Sequence, residues 1–210
     1  MTGLTKTAKI INPKMVNATL NYLDGTRHPI RNRLIFLLSV KLGLRAKEIA
    51  CLTWSMILDA EGDFTDVLTL DNSASKGKRG GRIIPLSQTI TDALSTHFDT
   101  STRTEPHYRI IQTERSDKVA PQVIVNMFQR WFADLGYEGC SSHSGRRTFI
   151  TNASKKSHLS VVPYEIFSIL RVIHPYKRHK DILRVIVVRE RKWWNWFRSN
   201  SLSSIPPFFC

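Results

Sequence analysis

One change of hydrophobic period, just before the middle of the chain, restricts the possible folds most. "DVLTLDN" and "GRIIPLS" read as two strands, and "SASKGKRGG" between them is a turn rich in glycine and lysine. On both sides the pattern is helical. The order is helices, one small antiparallel β unit, then helices, which predicts a mainly helical α+β domain.

Local signals set the expected helix ends. Asn12-Pro13 combines an N-cap with proline at the first helical position, so a helix is expected over 12–23, stopped by Asp24-Gly25. A second is expected over 30–42, because Leu34, Leu37, Leu38 and Leu42 recur near a helical period and Gly43 follows as a stop. A short third covers 45–52. "LSQTITDALSTHF" is helical with Ser87 as candidate cap, and "APQVIVNMFQRWFADLG" is an amphipathic helix closed by Gly136. A last helix starts near Ser144 and runs through "RRTFITNASKK". The polar stretch 101–118 reads as loop with one short strand.

Composition narrows the function. The 210 residues suffice for one ordinary domain with a core, or about one and a half. Lys+Arg number 31 against 17 Asp+Glu, a formal charge of +14, which favours a polyanionic partner such as DNA, RNA or an anionic membrane surface. The apolar run Leu34-Ile35-Phe36-Leu37-Leu38 has the length of core helix, not of a membrane span. The opening "MTGLTKTAKIINPK" lacks the apolar segment of a secretory signal. Cys51, Cys140 and Cys210 form neither a disulfide framework nor a zinc spacing, so a cytoplasmic location is expected.

Three basic spots are candidates for chemistry: Arg45 in "LGLRAKEIACLTW", Lys76 in "SKGKRGGRIIPL", and His143 with Arg146 in "HSGRRTF". Singly, each has a plain alternative. Arg45 and Glu48 could be an i, i+3 surface pair. Lys76 could be a solvated hairpin lysine, and His143 the start of a helix with Arg146 exposed. In order and spacing, however, the three segments resemble the catalytic domain of tyrosine recombinases, the phage-integrase family, over roughly residues 12–156. They are similar, respectively, to the family's first arginine motif, its β-hairpin with the catalytic lysine, and its His-x-x-Arg motif.

The resemblance implies transfer of a DNA phosphoryl group to a tyrosine, with neither metal nor nucleotide cofactor. Arg45 and Arg146 would clamp the non-bridging oxygens of the scissile phosphate through charge-assisted bonds. They would thereby stabilise the charge of the transition state. Lys76 would protonate the departing 5′-oxygen, His143 would donate to the phosphate or assist proton transfer, and Glu48 would orient its neighbours. Arg146 is expected to face DNA, not the core. The implied partners are duplex DNA and further copies of the chain in a synaptic complex. The implied biology is that of a mobile genetic element.

Past Lys156 the resemblance requires a Gly-His pair and then a Thr-Thr-x-x-Tyr-like segment bearing the nucleophile, which the chain does not display directly. The third base of each codon can be joined to the first two of the next, with free choice only at degenerate bases. Residues 163–187 then read "SLRDFQYLAGHSSLQTTQRYIEGDS", and "VRERKWWNWF" continues as "SARKKMVELV". The missing Gly-His falls across Arg171 to Ile173, and the missing tyrosine across the Asp181-Ile182 codons. A single-nucleotide shift near Lys156-Ser157 accounts for this. His174 and Tyr176 are then accidents of the displaced frame, and proline at 163 and 175 disfavours helix where the family needs it. The rival reading is a diverged enzyme using Tyr164 or Tyr176.

The expected organisation is a leader over 1–11, an incomplete catalytic domain over 12–156 and an out-of-frame, poorly ordered tail over 157–210, without a separate N-terminal DNA-clamping domain. The expected function is site-specific DNA recombination or integration by a domain that lacks its nucleophile and is catalytically impaired. The alternatives are a non-catalytic DNA-binding remnant or an unrelated helical RNA-binding protein.

Overall fold

The computed structural model describes residues 7–71 and 81–157, the side chains of the last two excepted. Lys76, Tyr164, His174, Tyr176 and the expected tail past Ser157 lie outside the described residues.

Among the described residues, six helices and one hairpin follow one another: α1 (Pro13–Asp24), α2 (Pro29–Leu42), α3 (Ala46–Cys51), a 3-10 turn (Trp54–Met56), β1 (Val67–Leu70), β2 (Arg82–Pro85), α4 (Gln88–Asp99), α5 (Pro121–Asp134) and α6 (Ser144–Ser157). The local signals act largely as expected. The Asn12 side chain accepts from the Met15 N–H at 2.9 Å, capping α1. Gly43 follows α2 with φ 65°, the left-handed conformation that ends helices. Ser87 precedes α4 in extended conformation, but its side chain makes no capping bond.

α2 is the central element. Leu34, Ile35, Phe36, Leu37, Leu38, Ser39, Val40 and Leu42 are all buried, so the helix is covered almost all round and not on one stripe alone. α1, α3, α4 and α6 all pack against it. Phe128 on α5 meets Phe36 with ring centroids 6.3 Å apart. A second aromatic nucleus forms around the fully buried Trp54, which meets Phe98 edge-on at 4.9 Å.

The hairpin is antiparallel, with Leu68 opposite Ile84 and Leu70 opposite Arg82. Leu68, Leu70, Arg82 and Ile84 turn inward, while Thr69 and Ile83 turn out. The short strand expected within 101–118 does not form. Residue Arg109 makes one isolated antiparallel bridge to Thr53, and Thr113 another to Ser116. The reason is the partner: Thr53 lies between the end of α3 and the 3-10 turn, so a longer ladder has nothing to extend along. The Arg109 side chain instead donates to the Cys51 carbonyl, fastening the loop to α3. Among the described residues, no helix is long and apolar enough to cross a membrane.

Candidate active site

The centre of the site is Glu48 on α3, 1% exposed although ionisable. Burying a carboxylate is unfavourable unless it is paired. Here it is heavily paired. Its Oε1 accepts from Arg45 Nη1 at 3.0 Å. Its Oε2 accepts from the Arg45 backbone N–H at 2.8 Å and from Arg82 Nη2 at 2.9 Å. Arg146 Nη1 stands 3.9 Å from the same oxygen. The bond from the Arg45 backbone N–H back to the Glu48 side chain satisfies a free donor at the start of α3. One side chain therefore both begins the helix and organises the arginines.

Each arginine arrives on a different element. Arg45 is the residue before α3, with a side chain 34% exposed. Arg82 opens β2, and its inward register carries it to Glu48 with a side chain 6% exposed. Arg146 lies in the first turn of α6 and donates to the carbonyl of Gly43 at the end of α2. Two close approaches put it there. A Cβ on Gly145 would lie 2.3 Å from Ser39 Oγ on α2, and one on Gly43 2.5 Å from Phe149 Cδ1 on α6. Only residues without a Cβ let the two helices come this near.

Three guanidiniums thus surround one carboxylate, leaving an excess of positive charge in a largely water-excluded place. Burial pushes Arg146 down to about 10, with repulsion from Arg45 and Arg82 adding to the shift and Glu48 opposing it. Burial also lowers Arg82, against the pull of Glu48. Buried Arg82 Nε, Arg82 Nη1 and Arg146 Nη2 have no hydrogen-bond partner among the described residues. Unused charged donors beside one another are an environment suited to an anion with several oxygens.

The expected residues stand as follows. Arg45, Glu48 and Arg146 come together. The Arg45–Glu48 pair is not a solvated surface pair, because Glu48 is buried. Arg146 does not simply point away from the core: its side chain is 9% exposed, enclosed by the α2–α6 approach. His143 is exposed just before α6, and its backbone N–H donates to Ser141 Oγ at 3.3 Å. The hairpin's connecting turn, which holds Lys76, is outside the described residues, but β2 is tied to Glu48 through Arg82. Arg82 itself was missed by sequence reasoning. The signal available was alternation: two residues before inward Ile84, it falls on the buried face of its strand.

Comparison with known proteins gives this geometry a context. The phage integrase family model matches residues 9–162. No curated protein matches the chain. The Tn1549 transposon integrase in complex with circular intermediate DNA is similar in structure, with 15% identity and a TM-score of 0.60 over 90% of this chain and 68% of that one. XerA recombinase is similar at 16% identity and TM-score 0.56, over 88% of this chain and 66% of that one. XerH site-specific recombinase bound to a palindromic difH substrate, in a post-cleavage complex, is similar at 16% and 0.56, over 86% and 52%. At such identities the structural likeness establishes the fold: a tyrosine-recombinase catalytic fold, mainly helical with one small antiparallel sheet.

Proposed function

The chain belongs to the phage integrase family, and on that premise we propose that it is a DNA-clamping catalytic domain of site-specific recombination whose nucleophile is missing from the displayed frame. The observation that carries this reading is the convergence of Arg45, Arg82 and Arg146 on the single buried carboxylate of Glu48, with buried guanidinium donors left over. Family membership sets aside an unrelated RNA-binding helical protein.

In the proposed chemistry, Arg45 and Arg146 hold the two non-bridging oxygens of the scissile phosphate. A tyrosine hydroxyl attacks phosphorus and gives up its proton to solvent, the bond to the 5′-oxygen breaks, and Lys76 supplies the proton to that oxygen. His143 donates to the phosphate or assists the proton transfer. Glu48 keeps Arg45 in place, while the Gly43 carbonyl holds Arg146 beside it. Rejoining reverses the step: a 5′-hydroxyl attacks the phosphotyrosyl link, and the tyrosine leaves with its proton restored. The partners are duplex DNA and other copies of this chain. The solved relatives are recombinases, and the Tn1549 and XerH structures hold DNA, which supports the choice of duplex.

One sequence fact supports a displaced frame: the family match ends at residue 162, six residues past Lys156, and does not continue over 163–210. In this proposal the catalytic domain is 12–156, with 157–210 the out-of-frame remainder. The second reading, a DNA-binding remnant without catalysis, is what this assignment makes of the chain as it stands. The test uses nicked suicide DNA carrying the element's own recombination site. The displayed chain should form no covalent adduct on denaturing gels, and a version with the frame restored near Lys156 should form one. An adduct from the displayed chain, lost on Tyr164→Phe or Tyr176→Phe, would reinstate the diverged enzyme.

A further inference from the structure

We propose that Arg82 is a positioning residue of the phosphate clamp: by occupying Glu48 Oε2 it stops that carboxylate from capturing Arg146. The inference rests on the reading of Arg45 and Arg146 as the clamp. A carboxylate oxygen offers two in-plane lone-pair sites. On Oε2 both are taken, by the Arg45 backbone N–H at 2.8 Å and by Arg82 Nη2 at 2.9 Å. Arg146 Nη1 is left at 3.9 Å, outside hydrogen-bond range, and donates to the Gly43 carbonyl instead. Its Nη2 stays without a partner among the described residues. The arrangement is a competition between two buried guanidiniums for one oxygen. Arg82 wins it because β2 delivers it in register, and Arg146 remains available to an incoming anion.

Without Arg82 one lone pair on Oε2 opens beside a positively charged, under-bonded neighbour. Arg146 would then close onto Glu48 as a salt bridge, and a phosphate would have to displace that carboxylate before it could bind. Arg82 also belongs to the strand that follows the Lys76 turn. The same bond that frees Arg146 therefore ties the lysine's hairpin to the arginine site.

The experiment measures affinity for a fluorescently labelled duplex at low salt, in buffer free of phosphate. It compares the full chain with Arg146→Ala, Arg82→Gln, Arg82→Lys and the double variant Glu48→Gln/Arg82→Gln. Thermal melts are recorded for each. Arg146→Ala should weaken binding about tenfold, the scale of one charge-assisted contact. Arg82→Gln should weaken it by a similar factor. The double variant should recover most of that loss, because no carboxylate is left to hold Arg146. Arg82→Lys, which keeps a charge against Oε2, should stay within about threefold of the parent.

A merely structural Arg82 predicts the opposite ordering, with the double variant as weak as Arg82→Gln or weaker, and that result overturns the inference. So does normal binding by Arg82→Gln when Arg146→Ala is impaired. If Arg82→Gln does not fold, the Lys variant decides: a loss as large as that of Arg146→Ala rejects the idea, and near-parental binding supports it. Unchanged binding by Arg146→Ala removes the clamp reading itself, and the role of Arg82 with it.

Discussion

Among the described residues, two places gather basic side chains around one glutamate, and they are built differently. At the end of α2 that leads into α3, Glu48 is 1% exposed and holds Arg45 and Arg82 with Arg146 close by. At the opposite end of α2, Glu114 is 55% exposed and meets Arg27 at 2.8 Å and His28 at 3.3 Å, beside a cleft of about 620 Å³ lined by Arg31, Arg130 and Trp131 among others. The residue types are nearly the same. At the Glu114 end, Arg27 is 77% exposed and water screens the pair, so the contact adds little to stability. At the Glu48 end, charges are enclosed by packed helices, and removing one leaves the others uncompensated. The difference teaches that burial, not composition, turns an ion pair into an organising centre.

The sharpest way to break the comparison is to delete each glutamate. Glu48→Ala should destabilise the domain by about 3–5 kcal/mol, because three buried or half-buried guanidiniums lose their counter-charge. Glu114→Ala should cost no more than about 1 kcal/mol. Denaturant melts of the two variants, run together, check this. Equal losses would mean that enclosure of the Glu48 cluster has no energetic meaning.

A smaller effect tests how the enclosed site is made. Gly145→Ala places a methyl 2.3 Å from Ser39 Oγ and should cost about 1–3 kcal/mol through overpacking. It should also weaken duplex binding, since α6 carries Arg146. Ser39→Gly in the same chain should restore part of both losses. A neutral Gly145→Ala would show that the α2–α6 approach does not hold Arg146 in place.

The smallest effect belongs to the exposed end. Burial, then repulsion from Arg31, lowers His28 from its usual 6.5, with Glu114 opposing. A group with a lowered folded pKa takes up protons more readily when unfolded. Its contribution is therefore fully present above about pH 6.5 and is lost as pH falls from there through the folded value. His28→Gln should flatten the acid limb of the stability curve by less than about 1 kcal/mol while leaving neutral pH unchanged. Unfolding free energies of both chains between neutral pH and about pH 5.5 measure it. A steeper acid limb in the variant would reverse the assignment.

Much of the fold was legible because the signals that end helices act over a few residues. Asn12-Pro13 starts α1 and Gly43 stops α2, both through bonds or dihedrals within one turn of chain. Arg45, Glu48 and Arg146, singled out by order and spacing, come together in the structure. The sequence by itself determined the elements, their succession and the family they resemble. Tertiary structure decided that α2 is enclosed nearly all round, that 101–118 pairs only at isolated bridges, that Arg146 is enclosed, and that Arg82 joins the site. These depend on contacts between distant parts of the chain. Arg82 meets Glu48 across 34 positions, and Arg146 meets the Gly43 carbonyl across 103. Periodicity says which face of an element is apolar. It does not say which charged residue on that face will find a buried partner, because desolvation and pairing are settled only when the elements pack.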